Sequence, residues 1–310
     1  MITHKNSLNQ LVILSGKGGT GKTSLAASLM YLSSKSQFQG VFVDADVDAA
    51  NLALVSQAVP IESHIFMGSQ CAEINTEKCN QCDRCFEICR FNAINRPDIG
   101  RDFYAVNDLL CEGCAACFHV CPQAAIQMNK QQDGEWFHST SPYGHLYHAE
   151  LFPGAENTGK LVTTVKQHAK LYAEDHDIPL VIIDGPPGIG CPVISASAGV
   201  DLALLVAEPS VSGIHDLERI SAMLKHFNIA ILVCINKADL YPEGTQAILQ
   251  LAKDHGYPIA GKISFDDVVP QAIVKAQPVS QFAPNSRAAK EIELIWKQIK
   301  KVIFKKDGEL

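Results

Sequence analysis

Two sets of residues in this chain are spaced for chemistry. The first is the run Ser15-Gly16-Lys17-Gly18-Gly19-Thr20-Gly21-Lys22-Thr23-Ser24. Its glycines let backbone N–H groups close around phosphate oxygens, and the helix that should follow adds positive potential. Lys22 is placed to neutralise outer phosphates, and the Thr23 hydroxyl to ligate Mg²⁺. The second set is a spacing of cysteines, CxxCxxCxxxC, that occurs twice: Cys79, Cys82, Cys85 and Cys89, then Cys111, Cys114, Cys117 and Cys121. Three thiolates on one short loop suit three irons of a four-iron cube, with the fourth ligand from elsewhere. Zinc instead favours paired CxxC knuckles.

The cysteine runs belong to an internal repeat. Ile74-Asn75 matches Val106-Asn107, and Ala93-Ile94 matches Ala125-Ile126, each pair offset by 32 residues like the cysteines. The two copies cover about 69–99 and 102–131. They differ at the exit: Arg90 follows Cys89, whereas Pro122 follows Cys121. Arg90 is therefore expected to alter the first copy's exit turn and to raise its cluster's potential slightly. Cys71 has no counterpart, position 103 being Phe, and reads as structural or incidental. Cys234 lies in an apolar run and reads as a small core residue.

These sets need elements to hold them. Leu11–Ser15 reads as a buried strand running into the glycine loop, and Thr23–Ser34 as the helix after it. Gly40–Asp44, Leu180–Asp184, Leu202–Glu208 and Ile229–Asn236 read as further buried strands, with a helix from Gly159 to about Glu174. Strands alternating with helices imply a mostly parallel sheet covered on both faces, an α/β fold. The alternation stops between about Ile65 and Gln132. The expected organisation is therefore a discontinuous α/β domain, 1–64 and 133–310, with a small domain at 65–132 inserted into it.

Bulk properties narrow the class. At 310 residues, with 47% hydrophobic and 19% charged residues, the chain is an ordinary folded protein of one large and one small domain. A net charge of −7 argues against a sequence-independent nucleic-acid binder. The polar start, Met1–Gln10, lacks the blocks of an export signal, and no apolar run spans a membrane, so a cytoplasmic location is expected. There, eleven cysteines with eight in one segment point to metal rather than disulfides.

Three other strand ends carry polar residues at the stations a phosphate site needs. Asp44-Ala45-Asp46 follows the second strand, Asp184-Gly185-Pro186-Pro187-Gly188 the next, and Asn236-Lys237-Ala238-Asp239 a later one. The last is also the guanine-reading NKxD pattern of GTPases, so four residues alone leave ATP and GTP both open.

The chain resembles P-loop ATPases of the MinD/ParA/nitrogenase-iron-protein superfamily, the SIMIBI class, in the form that contains an inserted bacterial-type ferredoxin. The likeness covers the loop with its early Lys17 (a deviant Walker A motif), DADVDAANL, both cysteine runs, ENTGKLV at 156–162, DGPPGIGCP at 184–192 and EPSVSGIHDLERI at 208–220. It implies that Lys17 reaches the partner subunit's nucleotide in an ATP-bridged dimer. It implies Asp44 near Mg²⁺, Asp46 on the attacking water, Asp184 holding Mg²⁺ through water, and Asn236, Lys237 and Asp239 by the base, with ATP favoured. Similarity to two-cluster ferredoxins implies crossed ligation: Cys79, Cys82, Cys85 and Cys121 on one 4Fe-4S cluster, Cys111, Cys114, Cys117 and Cys89 on the other.

Three functions fit this resemblance. One is an ATP-switched dimer, homodimeric or paired with a related ATPase, that passes electrons through its clusters to a redox partner. Another is a carrier or assembly ATPase for iron–sulfur or other metal cofactors. The third is a MinD- or ParA-like positioning ATPase with a redox-sensing ferredoxin. Cys191, seven residues after Asp184, matches in spacing a cluster-ligating cysteine of nitrogenase iron proteins, but the second cysteine such a shared site needs is missing. It reads either as an interface thiol beside the switch or as a buried inert one. The last helix, after Ser286, is amphipathic. Ile292, Ile295, Ile299 and Val302 share a face, with Trp296 and Ile303 beside them. Lys297, Lys300, Lys301, Lys305 and Lys306 make the rest basic. Packing on the sheet and lipid contact both satisfy that pattern.

Overall fold

The structure is a computed structural model that describes residues 8–36, 38–155 and 157–304. Lys305, Lys306 and Glu156 lie outside the described residues, as do residues 1–7. The strands are β1 (Asn9–Ser15), β2 (Gly40–Asp44), β3 (Val59–Ile74), β4 (Ile94–Asn95), β5 (Ala105–Val106), β6 (Ile126–Ser141), β7 (Gly144–Leu151), β8 (Leu180–Pro187), β9 (Leu202–Ala207), β10 (Ala230–Asn236) and β11 (Ile259–Ile263). The chain divides into two compact units: Met1–His64 with Trp136–Glu150 and Thr158–Leu310, and Ile65–Glu135 with Leu151–Asn157.

The first unit is built on a sheet of order β11-β10-β9-β1-β8-β2-β7-β6-β3. From β11 to β7 neighbouring strands pair in parallel. The strands are apolar on both faces, and a period of two sorts them. Leu11, Ile13, Phe42, Leu180, Ile182, Leu202, Leu204, Leu232 and Cys234 turn to one core. The residues between them, such as Val12, Val43, Val181 and Ile183, are equally buried but lie outside that core. The first core is closed by Leu25, Leu29 and Met30 of helix Lys22–Ser34 and by Ile292, Ile295, Trp296 and Ile299 of helix Arg287–Ile303. Ile292, Ile295, Trp296 and Ile299 of that last helix are therefore packed in the protein's own core, as the sheet-packing reading expects, while Val302 of the same stripe is exposed. Ser286 caps the helix, its Oγ accepting from the Ala289 N–H at 3.2 Å.

The pattern missed β3, β4, β5, β6, β7 and β11. No element was read between 133 and 158, yet most of that segment is the end of β6 and all of β7, joined by Pro142-Tyr143. Only two residues separate these sheet neighbours, which allows only an antiparallel return. Their interior residues are Trp136, His138, Ser139, Leu146, Tyr147, His148 and Ala149. The histidines and serine disguise the alternation. β3 is likewise a 16-residue strand mostly exposed along its first half.

In the second unit, the 32-residue repeat becomes a pseudo-twofold structure. β4 and β5 pair antiparallel through Ile94↔Val106. Helices Arg84–Ile88 and Ala116–Val120 stand at equivalent places. The Asn75 N–H donates to the Ala125 carbonyl at 2.7 Å, and Asn107 to Ala93 at the same distance. Ala72, Ile94, Tyr104, Cys117 and Ile126 form its own small core.

Candidate functional site

The phosphate loop starts where β1 ends. Gly19 and Gly21 take φ of 76° and 91°, left-handed values that suit glycine. A Cβ on Gly21 would fall 2.4 Å from the Asn236 Nδ2, and one on Gly16 would fall 1.9 Å from the Asp216 Cβ, so neither site has room for a side chain. Helix Lys22–Ser34 has no side-chain cap and no acid in its first turn. Its leading amides are thus left for an anion. Lys22 is 6% exposed and donates from Nζ to Ser15 Oγ at 2.9 Å. Burial lowers its pKa, against the pull of Asp184, Asp46 and Asp44.

Two carboxylates meet beside this lysine because their strands are in register: Asp44 of β2 pairs with Asp184 of β8. Each is 1% exposed. Asp44 accepts from the Asp46 N–H at 3.1 Å and from the Leu52 N–H at 2.9 Å. Burial first, and Asp184 second, push its carboxyl well above the usual range. Neither Asp184 oxygen has a well-formed hydrogen bond. Burial pushes its pKa up to about 7, opposed by the nearby Thr23 hydroxyl and by Lys22. Two buried acids, one with both oxygens orphaned, are the donor set that a divalent cation satisfies. Asp46 is only half-buried; burial raises its pKa while Lys22 lowers it.

Lys17 is not loose. Its Nζ is 3.0 Å from Glu208 Oε2 and donates to Ser210 Oγ at 3.5 Å. Glu208 also takes Lys237 on its other oxygen. Burial alone would raise the Glu208 carboxyl, but hydrogen bonds from Lys237 and Lys17 hold it below the usual range. Asn236 donates to the Thr20 carbonyl at 2.7 Å, and Lys237 to the Gly19 carbonyl at 3.3 Å. The structure thus brings Lys17, Lys22, Thr23, Asp44, Asp46, Asp184, Asn236 and Lys237 around one loop. Asp239 is engaged elsewhere, accepting from the Phe265 N–H at 2.7 Å and lying 3.8 Å from Arg287. Glu208 is the residue that motif reading overlooked; its signal was two lysines in need of an acid.

In the second unit the cysteines line two cavities. One is lined by Cys79, Cys82, Cys85 and Cys121. The other is lined by Cys89, Cys111, Cys114 and Cys117. Each cavity therefore draws three cysteines from one run and the last from the other. Backbone N–H groups aim at the crossing sulfurs: Ala93 donates to Cys89 Sγ at 3.4 Å and Ala125 to Cys121 Sγ at 3.3 Å. Left-handed residues shape both loops at equivalent stations, Gln81, Asp83 and Asn92 in one copy and Gly113, Ala115 and Ala124 in the other. Among the described residues no three His, Cys, Asp or Glu side chains converge as on a single metal ion. A cube of four irons spreads its thiolates further apart than one ion does, so the donor set fits such a cube.

The first cavity has a feature the repeat did not announce. Asp83, on its rim, accepts from Arg96 Nε at 2.8 Å and also from Tyr104. The hydrogen bonds from Arg96, then Tyr104, pull its pKa down to about 2. Arg90 is exposed. Cys191 opens helix Cys191–Ser197 and is exposed, so the buried reading of it fails. Cys234 is fully buried in β10.

The sequence profile of the CobQ/CobB/MinD/ParA nucleotide binding domain matches residues 11–279. The chain belongs to this family. An uncharacterized protein of Methanocaldococcus jannaschii is 35% identical over 294 residues, covering 95% of this chain and 97% of that one. An iron-sulfur cluster carrier protein of Aquifex aeolicus is 26% identical over 142 residues, covering 42% of this chain and 39% of its own. Among solved structures, the septum site-determining protein MinD of Pyrococcus horikoshii, complexed with Mg-ADP, superposes with a TM-score of 0.60 at 19% identity, covering 96% of this chain and 97% of that one. That last likeness shows the fold. This family member is a nucleotide-binding protein, and among its described residues no helix is long and apolar enough to cross a membrane.

Proposed function

We propose that this chain is an ATPase whose nucleotide state controls electron delivery from two 4Fe-4S clusters to a partner protein. The observation that carries the reading is the pair of cavities, each lined by four cysteines in crossed sets, in one chain with a phosphate loop. Lys22 and the amides after Gly21 would bind phosphates, and Thr23, Asp44 and Asp184 would hold Mg²⁺. Asp46 would orient or deprotonate the attacking water. ATP is preferred over GTP because Asp239, which a guanine reader must keep free, is bonded to the Phe265 amide. The clusters, when bound, supply one-electron storage; the protein supplies their thiolates, amide hydrogen bonds and partial burial. Lys17, paired with Glu208, would exchange that partner for the facing subunit's nucleotide on dimerisation.

Cluster carriage is the second reading, favoured by the Aquifex aeolicus relative. Four thiolates around each cavity oppose it, since a cargo cluster must leave. Reduced protein mixed with a redox acceptor, with and without MgATP, tests the choice. Electron loss that ATP accelerates, with iron retained, is the expected result. Iron moving to an apo-protein would favour carriage, and electron loss indifferent to ATP would overturn the switch.

A further inference from the structure

The walls of the two cysteine-lined cavities correspond through the 32-residue offset, yet they differ in kind. The first presents Asp83, Arg84 and Gln123 where the second presents Ala115, Ala116 and Phe91. Behind Asp83 the difference continues. Arg96 donates to Asp83 from Nε at 2.8 Å, and the residue matching it is Met128, which lines the second cavity. The Tyr104 hydroxyl also donates to Asp83, and the residue matching it is Ala72. Tyr104 is 7% exposed, and the Arg96 guanidinium lies 4.0 Å from the centre of the Phe86 ring, so both donors are held in place. At Asn80 the exchange runs the other way, since the second wall has Glu112 there.

These differences have a sign. A cluster held by four thiolates is negatively charged and becomes more so on taking an electron. A polar wall with positive charge favours that state, and an apolar wall with an acid opposes it. With Arg96 counted, the first wall sets the guanidinium groups of Arg84 and Arg96 against the Asp83 carboxylate, whereas the second has the Glu112 carboxylate alone. Arg90, which follows Cys89, is exposed and lines neither cavity; counted with the second, it brings that side only to neutral.

We propose that these walls put the two sites in order: Arg84, Arg96 and Asp83 set the potential at Cys79, Cys82, Cys85 and Cys121 above that at the other four cysteines. The inference rests on the reading of both cavities as cluster sites. A single electron from a low-potential one-electron reductant then comes to rest at the first cavity. An electron that arrives at the second passes on, one cluster being oxidised as the other is reduced. No bond breaks and no proton moves.

An anaerobic redox titration of the full chain followed by electron paramagnetic resonance tests this, with Cys82→Ser and Cys114→Ser assigning the signals of the first and second cavities. Two midpoints are expected in wild type, the higher belonging to the signal that Cys82→Ser removes or alters. Arg96→Met lowers that midpoint and leaves the other in place. Asp83→Asn, which removes the opposing charge and keeps the shape, raises it. Arg96→Lys, which keeps the charge, leaves it near wild type. Opposite shifts from the two partners of one ion pair mark an effect of charge, because a loosened loop would move both variants the same way. Coincident midpoints in wild type, or a higher midpoint that belongs to the Cys114 signal, overturn the proposal. So do shifts of one sign in Arg96→Met and Asp83→Asn, or no shift in Asp83→Asn. If Arg96→Met loses the iron of the first site, the wild-type order and Asp83→Asn still decide. Wild-type protein without iron is a different failure, that of the cluster reading itself.

Discussion

At the residue scale, the central assignments separate binding from chemistry. Lys22 touches phosphate in this account, whereas Asp46 acts on water. Lys22→Ala therefore loses nucleotide binding, seen by equilibrium dialysis. Asp46→Ala keeps ATP bound but slows hydrolysis by ~10²-fold or more, the usual worth of a positioned general base. Normal turnover in Asp46→Ala would show that another group serves the water. The crossed cysteine sets make an equally specific demand. Cys121→Ser should damage the cluster of the first run, and Cys89→Ser that of the second, although each belongs by sequence to the opposite run. Iron analysis with Cys79→Ser and Cys111→Ser as references reads this out: the double variant Cys79→Ser/Cys121→Ser should lose no more iron than either single change. These roles were legible because glycine, lysine and cysteine at fixed spacing leave few other uses. Glu208 was not legible, because its ion pairs with Lys17 and Lys237 join residues from three separate strand ends.

At the element scale, the central strands announced themselves by continuous apolar runs, as parallel strands buried on both faces do. β6 and β7 did not, because buried histidines interrupt them. His148 on β7 is 6% exposed; its Nε2 shares a hydrogen bond with Ser139 at 2.8 Å while its Nδ1 has no partner. Burial alone depresses its pKa to about 4. The folded state therefore binds fewer protons than the unfolded chain between about pH 6.5 and 4. Stability rises with pH through that window and is lost as pH falls through it, by ~3 kcal/mol at most. Urea melts of His148→Gln should show a flatter dependence between pH 6.5 and 4 than wild type. An equal slope would place the acid sensitivity elsewhere. Helix Arg287–Ile303 poses a simpler case. Ile295 is fully buried, and Gly261 of β11 leaves the room for it: a Cβ there would lie 2.7 Å from Ile295 Cγ1. Ile295→Ala should cost about 2–5 kcal/mol in a denaturation midpoint series, and intact protein should not sediment with liposomes. From the sequence, the stripe was compatible with either environment; only the facing strand decides it.

At the scale of the whole molecule, one chain combines a nucleotide-binding unit and a unit of repeated cysteine loops. The α/β class and the repeat could both be read from alternation and a fixed offset. The entry and exit strands could not, since β3 and β6 run unbroken past the points where the cysteine-bearing segment begins and ends. Strands long enough to pass between units have no turn residues to mark the boundary, which is why composition suggested 65–132 while Leu151–Asn157 also joins the second unit. The account depends above all on what fills the two cysteine-lined cavities. Iron and acid-labile sulfide measured on anaerobically purified protein test this most directly. About eight of each per chain, with the broad visible absorption of four-iron clusters, is the predicted result. Zinc bound without visible absorption, or no metal at all after anaerobic reconstitution with iron and sulfide, would contradict it.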